Sequence, residues 1–163
     1  MKKLLLATCL ATLATPALAE EYLTGYAGWF DLVDNEQEAT QFGVEYRMKE
    51  WQYNIHPTIG ANVTTDSSYY VYGGFNWDIE VLPKEIYLVP NFMAGGYAKG
   101  DGKDLGHGLE FRSGLELDYQ MKSGSRVGVA FNHISNASLG DKNPGAETLL
   151  LNYSMPLGNA RKW

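Results

Sequence analysis

The segment Phe131–Glu147, FNHISNASLGDKNPGAE, holds a histidine, a serine two positions later and a glutamate twelve positions beyond that. His133, Ser135 and Glu147 are the residue types of a carboxylate–imidazole–hydroxyl relay. In such a relay the carboxylate orients the imidazole, and the imidazole takes the hydroxyl proton to make an oxygen nucleophile. The same residue types also make an ordinary polar loop. The choice between the two rests on which way each side chain points, and therefore on the elements that carry them.

The chain begins MKKLLLATCLATLATPALAE. Lys2 and Lys3, the apolar run Leu4–Leu13 and the small-residue site Ala17-Leu18-Ala19 read as a secretory leader over 1–19, leaving one domain over 20–163. Cys9 is the sole cysteine, lies inside that leader and is too early for a lipidated cysteine, so the exported chain is expected to have no disulfide. The net charge of −6 becomes still more negative when Lys2 and Lys3 leave, which argues against nucleic acid as a partner. Beyond the leader, no run approaches the ~18 apolar residues of a membrane helix.

Short alternating runs separated by polar turns predict an all-β chain. In TQFGVEYRMK, Phe42, Val44, Tyr46 and Met48 share one face, with Gln41, Glu45, Arg47 and Lys49 on the other. In GLEFRSGLELDYQ, Leu109, Phe111, Leu115, Leu117 and Tyr119 oppose Glu110, Arg112, Glu116, Asp118 and Gln120. The expectation is eight strands near 22–31, 40–49, 54–64, 69–80, 86–98, 108–120, 126–136 and 146–157. Longer polar loops (34–39, 64–68, 99–107, 137–145) alternate with tighter turns (50–53, 82–85, 122–125), as in an outer-membrane barrel. Eleven tyrosines and four tryptophans suit interfacial girdles better than a dry sandwich core. The fold class expected is an all-β, eight-stranded antiparallel transmembrane barrel. Its interior should be filled by Arg47, Glu110, Arg112, Glu116 and Asp118 rather than open as a pore. Pro57 and Pro90 fall inside strands and predict a bulge or an interrupted pairing. The faces of the first and fifth strands cannot be assigned, because apolar residues occupy both parities.

Parity then places the reactive types. Val127, Val129 and Phe131 share a face with His133 and Ser135, while Glu147 shares one with Leu149, Leu151 and Tyr153. All three polar groups are therefore expected on the outer, lipid-facing side, where polar groups are costly unless used. A hairpin symmetric about Gly140 sets Glu147 opposite His133, Leu149 opposite Phe131, Leu151 opposite Val129 and Tyr153 opposite Val127. Opposed side chains on one face are within contact distance. With the N-terminus periplasmic, the 137–145 loop is extracellular. A climb of roughly 23 Å from Arg126 then carries Ser135 to the outer edge of an apolar band ~25 Å tall. The ester bonds of lipopolysaccharide acyl chains lie at that depth.

At these residues the sequence resembles the PagL family of outer-membrane lipid A 3-O-deacylases. The match is a spaced motif: His133, Ser135 and Asn136 of HISNA, then Asn143 and Gly145 of NPG, then Glu147. The resemblance implies a serine esterase acting on the 3-hydroxyacyl ester at the 3-position of lipid A. Ser135 would be the nucleophile, His133 the base and Glu147 the orienting acid. Asn136, Asn143 or amides near Gly145 would receive the oxyanion, and Val129, Phe131, Leu149 and Leu151 would form the acyl-chain surface. Partners would be lipopolysaccharide and the outer membrane, with the site facing the outer leaflet of a Gram-negative cell and a homodimer open. No cofactor or metal is implied. Asp101–Asp104, DGKD, lacks the acid that would complete a calcium loop and reads as a solvated loop, while His56 and His107 read as lumen and loop residues. The competing readings are a non-enzymatic small barrel acting in adhesion or envelope integrity, and a soluble periplasmic β-domain.

Overall fold

The computed structural model describes residues 21–34 and 36–157, so the expected leader 1–19 and the residues after 157 lie outside the described part. Nine strand segments follow one another: β1 (Glu21–Phe30), β2 (Ala39–Arg47), β3 (Ile55–Thr64), β4 (Tyr69–Trp77), β5 (Ile79–Leu82), β6 (Ile86–Ala98), β7 (Leu109–Gln120), β8 (Arg126–Ser135) and β9 (Ala146–Leu157). β4 and β5 both pair antiparallel with β6, so together they form one stave interrupted at Asp78. β9 pairs antiparallel with β1 from Glu21↔Leu157 to Phe30↔Thr148. The ring is therefore closed as an eight-stave barrel with every neighbour antiparallel.

The break at Asp78 departs from the single strand expected over 69–80. Asp78 is buried and bonded to Arg126 Nη1, while its N–H donates to the Asn54 carbonyl at 2.9 Å. Asp78 keeps the inward parity of Asn76, and the gap in pairing faces Pro90, which has no N–H to give the ladder. The register shifts again between Glu80 and Leu82. At each proline the expected interruption of pairing is present on one side of the strand. Pro57 keeps its register with Phe75 and Pro90 with Leu115. The β2–β3 ladder, however, stops at Arg47↔Thr58, and the gap between β4 and β5 falls opposite Pro90, between Asn76↔Asn91 and Ile79↔Leu88. At Pro57 a side chain supplies the missing donor. Met48 donates to the Pro57 carbonyl at 2.8 Å, and the return bond to the Met48 carbonyl comes from His56 Nδ1 at 3.0 Å. A carbonyl can only accept, so Nδ1 carries the proton there.

Burial is inside-out. Leu23, Phe42, Val44, Ile59, Val71, Phe75, Phe92, Leu115, Leu117, Val129, Phe131 and Leu151 are all exposed, while Glu45, Arg47, Glu110, Arg112, Glu116 and Asp118 are buried. An exposed apolar surface of that extent around the whole barrel suits hydrocarbon and not water. The two ambiguous strands resolve the same way. Tyr22, Thr24 and Tyr26 of β1 and Val89, Asn91 and Met93 of β6 are buried inward, and Leu23, Trp29 and Phe92 face out. Tyrosines and a methionine thus fill the lumen beside the charges, which is why both parities look apolar in sequence.

Most of the lumen charges are paired, whereas buried Glu110 has no ion-pair partner among the described residues. Arg47 Nη2 donates to Glu116 at 2.8 and 2.9 Å, Arg112 Nη2 donates to Glu45 at 2.6 Å, and Asn152 Nδ2 bridges Glu116 and Asp118 at 2.9 Å each. Tyr72 Oη donates to Glu45 at 2.9 Å and meets Tyr26 Oη at 2.7 Å. Removing one member of such a network strands the other charge in low dielectric, at a cost of about 3–5 kcal/mol. Arg47→Met is therefore expected to destabilise the barrel by about that amount. The check is a lower urea midpoint, read from the heat-modifiable mobility of the detergent-folded protein; an unchanged midpoint would show that the network contributes nothing.

At the loop end the expectation of a solvated 101–104 loop needs correction. Lys103 is buried, with its Nζ 2.6 Å from Asp31 Oδ1 and 3.5 and 3.8 Å from Asp34 and Glu36. The β6–β7 loop thereby folds inward over the barrel mouth and ties itself to the β1–β2 loop. Burial opposes the Lys103 charge, but the Asp31 hydrogen bond and the surrounding carboxylates outweigh it and raise its pKa.

Candidate active site

The β8–β9 hairpin has the register expected of it: His133↔Glu147, Phe131↔Leu149, Val129↔Leu151 and Val127↔Tyr153. Alternation along β8 is strict, with Arg126, Gly128, Ala130, Asn132 and Ile134 buried and Val127, Val129, Phe131 and His133 exposed. Ser135 continues the outward parity at the loop end of β8, half-buried and paired with Phe111 of β7. His133 Nδ1 lies 2.8 Å from Glu147 Oε1. The two side chains are 47% and 21% exposed, so the pair sits on the outer surface with the carboxylate the better covered member. A carboxylate accepts, so Nδ1 is the protonated nitrogen in this bond and Nε2 of the neutral ring keeps its lone pair. The Glu147 backbone is fixed in turn, its carbonyl accepting from Leu32 N–H at 3.1 Å.

Gly145 sets the tilt of the imidazole. A β-carbon built there would lie 2.8 Å from His133 Cε1 and 3.5 Å from Nε2. The Nε2 edge is therefore turned along the surface toward the backbone of Gly145, the position that continues the β8–β9 register to Ser135. The φ of +67° at this residue is one that glycine takes without the steric cost of a side chain.

Asn136 follows Ser135 and is fully buried. Its Nδ2 donates to the carbonyls of Leu105 and Lys142, both at 2.8 Å, and its backbone N–H donates to Asn143 Oδ1 at 2.9 Å. Every N–H of Asn136 is thus engaged. Asn143 uses its oxygen in that contact, and its exposed amide nitrogen has no hydrogen bond among the described residues. Ala137 and Ser138 follow with φ of +53° and +62°, turning the chain sharply away from the strand.

The loop around the motif is braced by the β6–β7 loop. Lys142 Nζ lies 3.1 Å from Asp104 Oδ2, and the Lys142 hydrogen bond holds the Asp104 carboxyl below its ordinary pKa. A β-carbon at Gly106 would stand 2.1 Å from the Lys142 carbonyl, so the two loops meet backbone to backbone. Sequence reading missed Leu105, Gly106 and Lys142. All three act through main-chain carbonyls or close approach, which residue type does not announce. Below the motif, Val129, Phe131 and Leu151 are exposed and Leu149 half-buried, forming an apolar strip on the same outer face.

Among the sequence-predicted residues, the structure brings His133 into contact with Glu147, leaves no room for a side chain between its ring and Gly145, and brings Asn136 into contact with Asn143. Ser135 shares their face at the adjoining outward position.

Comparison with known proteins agrees with this layout. Among curated protein sequences none matches the chain. A solved structure described as the outer membrane enzyme PagL superposes with a TM-score of 0.64 at 18% identity, covering 83% of this chain and 99% of its own. A de novo designed transmembrane β-barrel superposes with a TM-score of 0.56 at 13% identity, covering 87% of this chain and 98% of its own. At these identities the two establish the fold. The profile of the family described as lipid A 3-O-deacylase (PagL) matches residues 22–156, which span every strand and the whole motif. The chain belongs to the PagL family of lipid A 3-O-deacylases.

Proposed function

We propose that this protein is a serine esterase of the Gram-negative outer membrane that hydrolyses the 3-O-linked 3-hydroxyacyl ester of lipid A. The observation that carries the reading is the 2.8 Å His133–Glu147 pair on the lipid-facing surface, with Ser135 next on the same face. Such a pair has no use in a hydrocarbon surface unless a polar reaction takes place there. Family membership supplies the substrate class.

In this reading Glu147 holds the Nδ1–H tautomer, and Nε2 accepts the Ser135 proton as Oγ attacks the ester carbonyl. The tetrahedral oxyanion is met by the unengaged amide of Asn143 and by main-chain N–H groups near Gly145. Each such donor is typically worth about 3–4 kcal/mol in the transition state. Asn136 serves by holding the loop, since its own donors are engaged. Collapse expels the sugar hydroxyl, which takes the proton back from His133. Water, activated by the same imidazole, then releases the 3-hydroxy fatty acid from Ser135. With the strand ends that carry the long loops outermost, the ester lies at the outer leaflet and the acyl chain descends along Val129, Phe131, Leu149 and Leu151.

The test is mass spectrometry of lipid A incubated with the purified, detergent-folded protein. The expected product has lost one 3-hydroxyacyl chain, from the 3-position only. Folded protein that leaves this chain in place, or removes a different one, would sink the proposal.

A further inference from the structure

The outward residues of β7 are Leu109, Phe111, Ser113, Leu115, Leu117 and Tyr119, and Ser113 alone among them carries an aliphatic hydroxyl. It is exposed on the barrel surface, four residues in from the loop end of β7, where a hydroxyl without a partner is unfavourable. Its side chain makes no hydrogen bond among the described residues. On one side it is registered directly opposite His133, and on the other opposite Phe92. Ser135 is therefore its diagonal neighbour across the β7–β8 pair, at a Cβ separation of ~7–8 Å. His133 does not satisfy Ser113, because its Nδ1 is taken by Glu147 and its Nε2 edge is turned toward Gly145.

Resting on the esterase reading above, we infer that Ser113 is a specificity-determining residue that hydrogen-bonds the 3-hydroxyl of the acyl chain being removed. With the ester carbonyl at Ser135 Oγ and the chain descending away from the loops, the first part of the chain must pass the level of His133 and Ser113. The 3-hydroxyl sits two carbons from the carbonyl, and at that level Phe92, Phe111 and Leu115 offer it only apolar contact. Ser113 is the polar partner in reach that the chemistry of the relay does not already use. Its hydroxyl both donates and accepts, so it can pair with another hydroxyl in either sense. The residue thus distinguishes a hydroxylated acyl chain from a plain one without touching the reacting atoms.

The experiment compares two synthetic lipid A esters in mixed micelles. One bears a 3-hydroxyacyl chain at the 3-position, the other an unhydroxylated chain of equal length, and kcat/KM is measured for each. Wild-type protein should prefer the hydroxylated ester. The preference ratio should fall about tenfold in Ser113→Ala, the size of one neutral hydrogen bond, and return in Ser113→Thr, which keeps the hydroxyl. An unchanged ratio in Ser113→Ala, or equal losses on both esters in folded protein, overturns the assignment while leaving the esterase reading intact. Wild-type protein that cleaves neither ester overturns both.

Discussion

Ser135→Ala is expected to slow release of 3-hydroxy fatty acid by about 10⁴–10⁶-fold, and His133→Ala by a similar factor, with the double replacement little worse than either alone. In the proposed relay the hydroxyl and the imidazole act as one unit. Without Nε2 to take its proton, Ser135 is no better a nucleophile than any other alcohol, and without Ser135 the base has nothing to activate. Folding should survive each change. His133 is about half exposed on the lipid face, its removal frees a carboxylate that keeps 21% exposure, and neither residue belongs to the lumen network. The measurement is single-turnover product release by mass spectrometry, alongside the heat-modifiable gel shift that reports an intact barrel. Multiplicative losses in the double variant would mean that the two residues act independently, and the proposed relay would fall.

Gly145→Ala should cost about 10²-fold in the same assay, although the glycine contributes no functional group. The added methyl would stand 2.8 Å from His133 Cε1, so the ring must swing, and doing so strains its 2.8 Å bond to Glu147 and misaims Nε2. Alanine must also adopt a φ of +67°, which adds about 1–2 kcal/mol of backbone strain and loosens the hairpin end. The companion control is Gly108→Ala, where a β-carbon meets nothing within 4 Å, and full activity is expected. If Gly145→Ala is as active as the control, the imidazole does not need the observed tilt. A loss confined to Gly145→Ala ties activity to ring orientation.

Several of these features could be read from residue types. Strict alternation in β7, β8 and β9 fixes which side chains face out, and a hairpin symmetric about Gly140 sets His133 opposite Glu147. The inward set of Arg47, Glu110, Arg112, Glu116 and Asp118 was legible for the same reason. β1 and β6 were not, because tyrosine and methionine serve inside the lumen as well as outside, and hydropathy does not separate the two uses. The break at Asp78 faces Pro90 on the neighbouring strand, a juxtaposition set by the register between the two strands and not by the residue types near Asp78. Burial of Lys103 depends on Asp31, seventy-two residues distant. Pro57 ends the β2–β3 ladder as its missing N–H implies, but the replacement bond from His56 Nδ1 to the Met48 carbonyl is not announced by residue type. At the site, the types of Asn136 and Asn143 suggested two equivalent oxyanion donors. Only the structure distinguishes them, since three main-chain and side-chain acceptors use up the donors of Asn136.

The outward aim of the His133–Glu147 pair has a kinetic consequence. A site enclosed by protein meets its substrate from solution and saturates with molar concentration. Here one wall of the reaction space is the bilayer itself, and the apolar strip below the pair is continuous with neighbouring lipid tails. Encounter is then lateral diffusion in two dimensions, and the quantity that governs turnover is the mole fraction of substrate in the leaflet. Inert lipid acts as a diluent, and each departing fatty acid or partly deacylated product stays in the same plane as a competitor. Under the proposed relay the barrel works as an interfacial enzyme whose effective substrate concentration is a property of membrane composition.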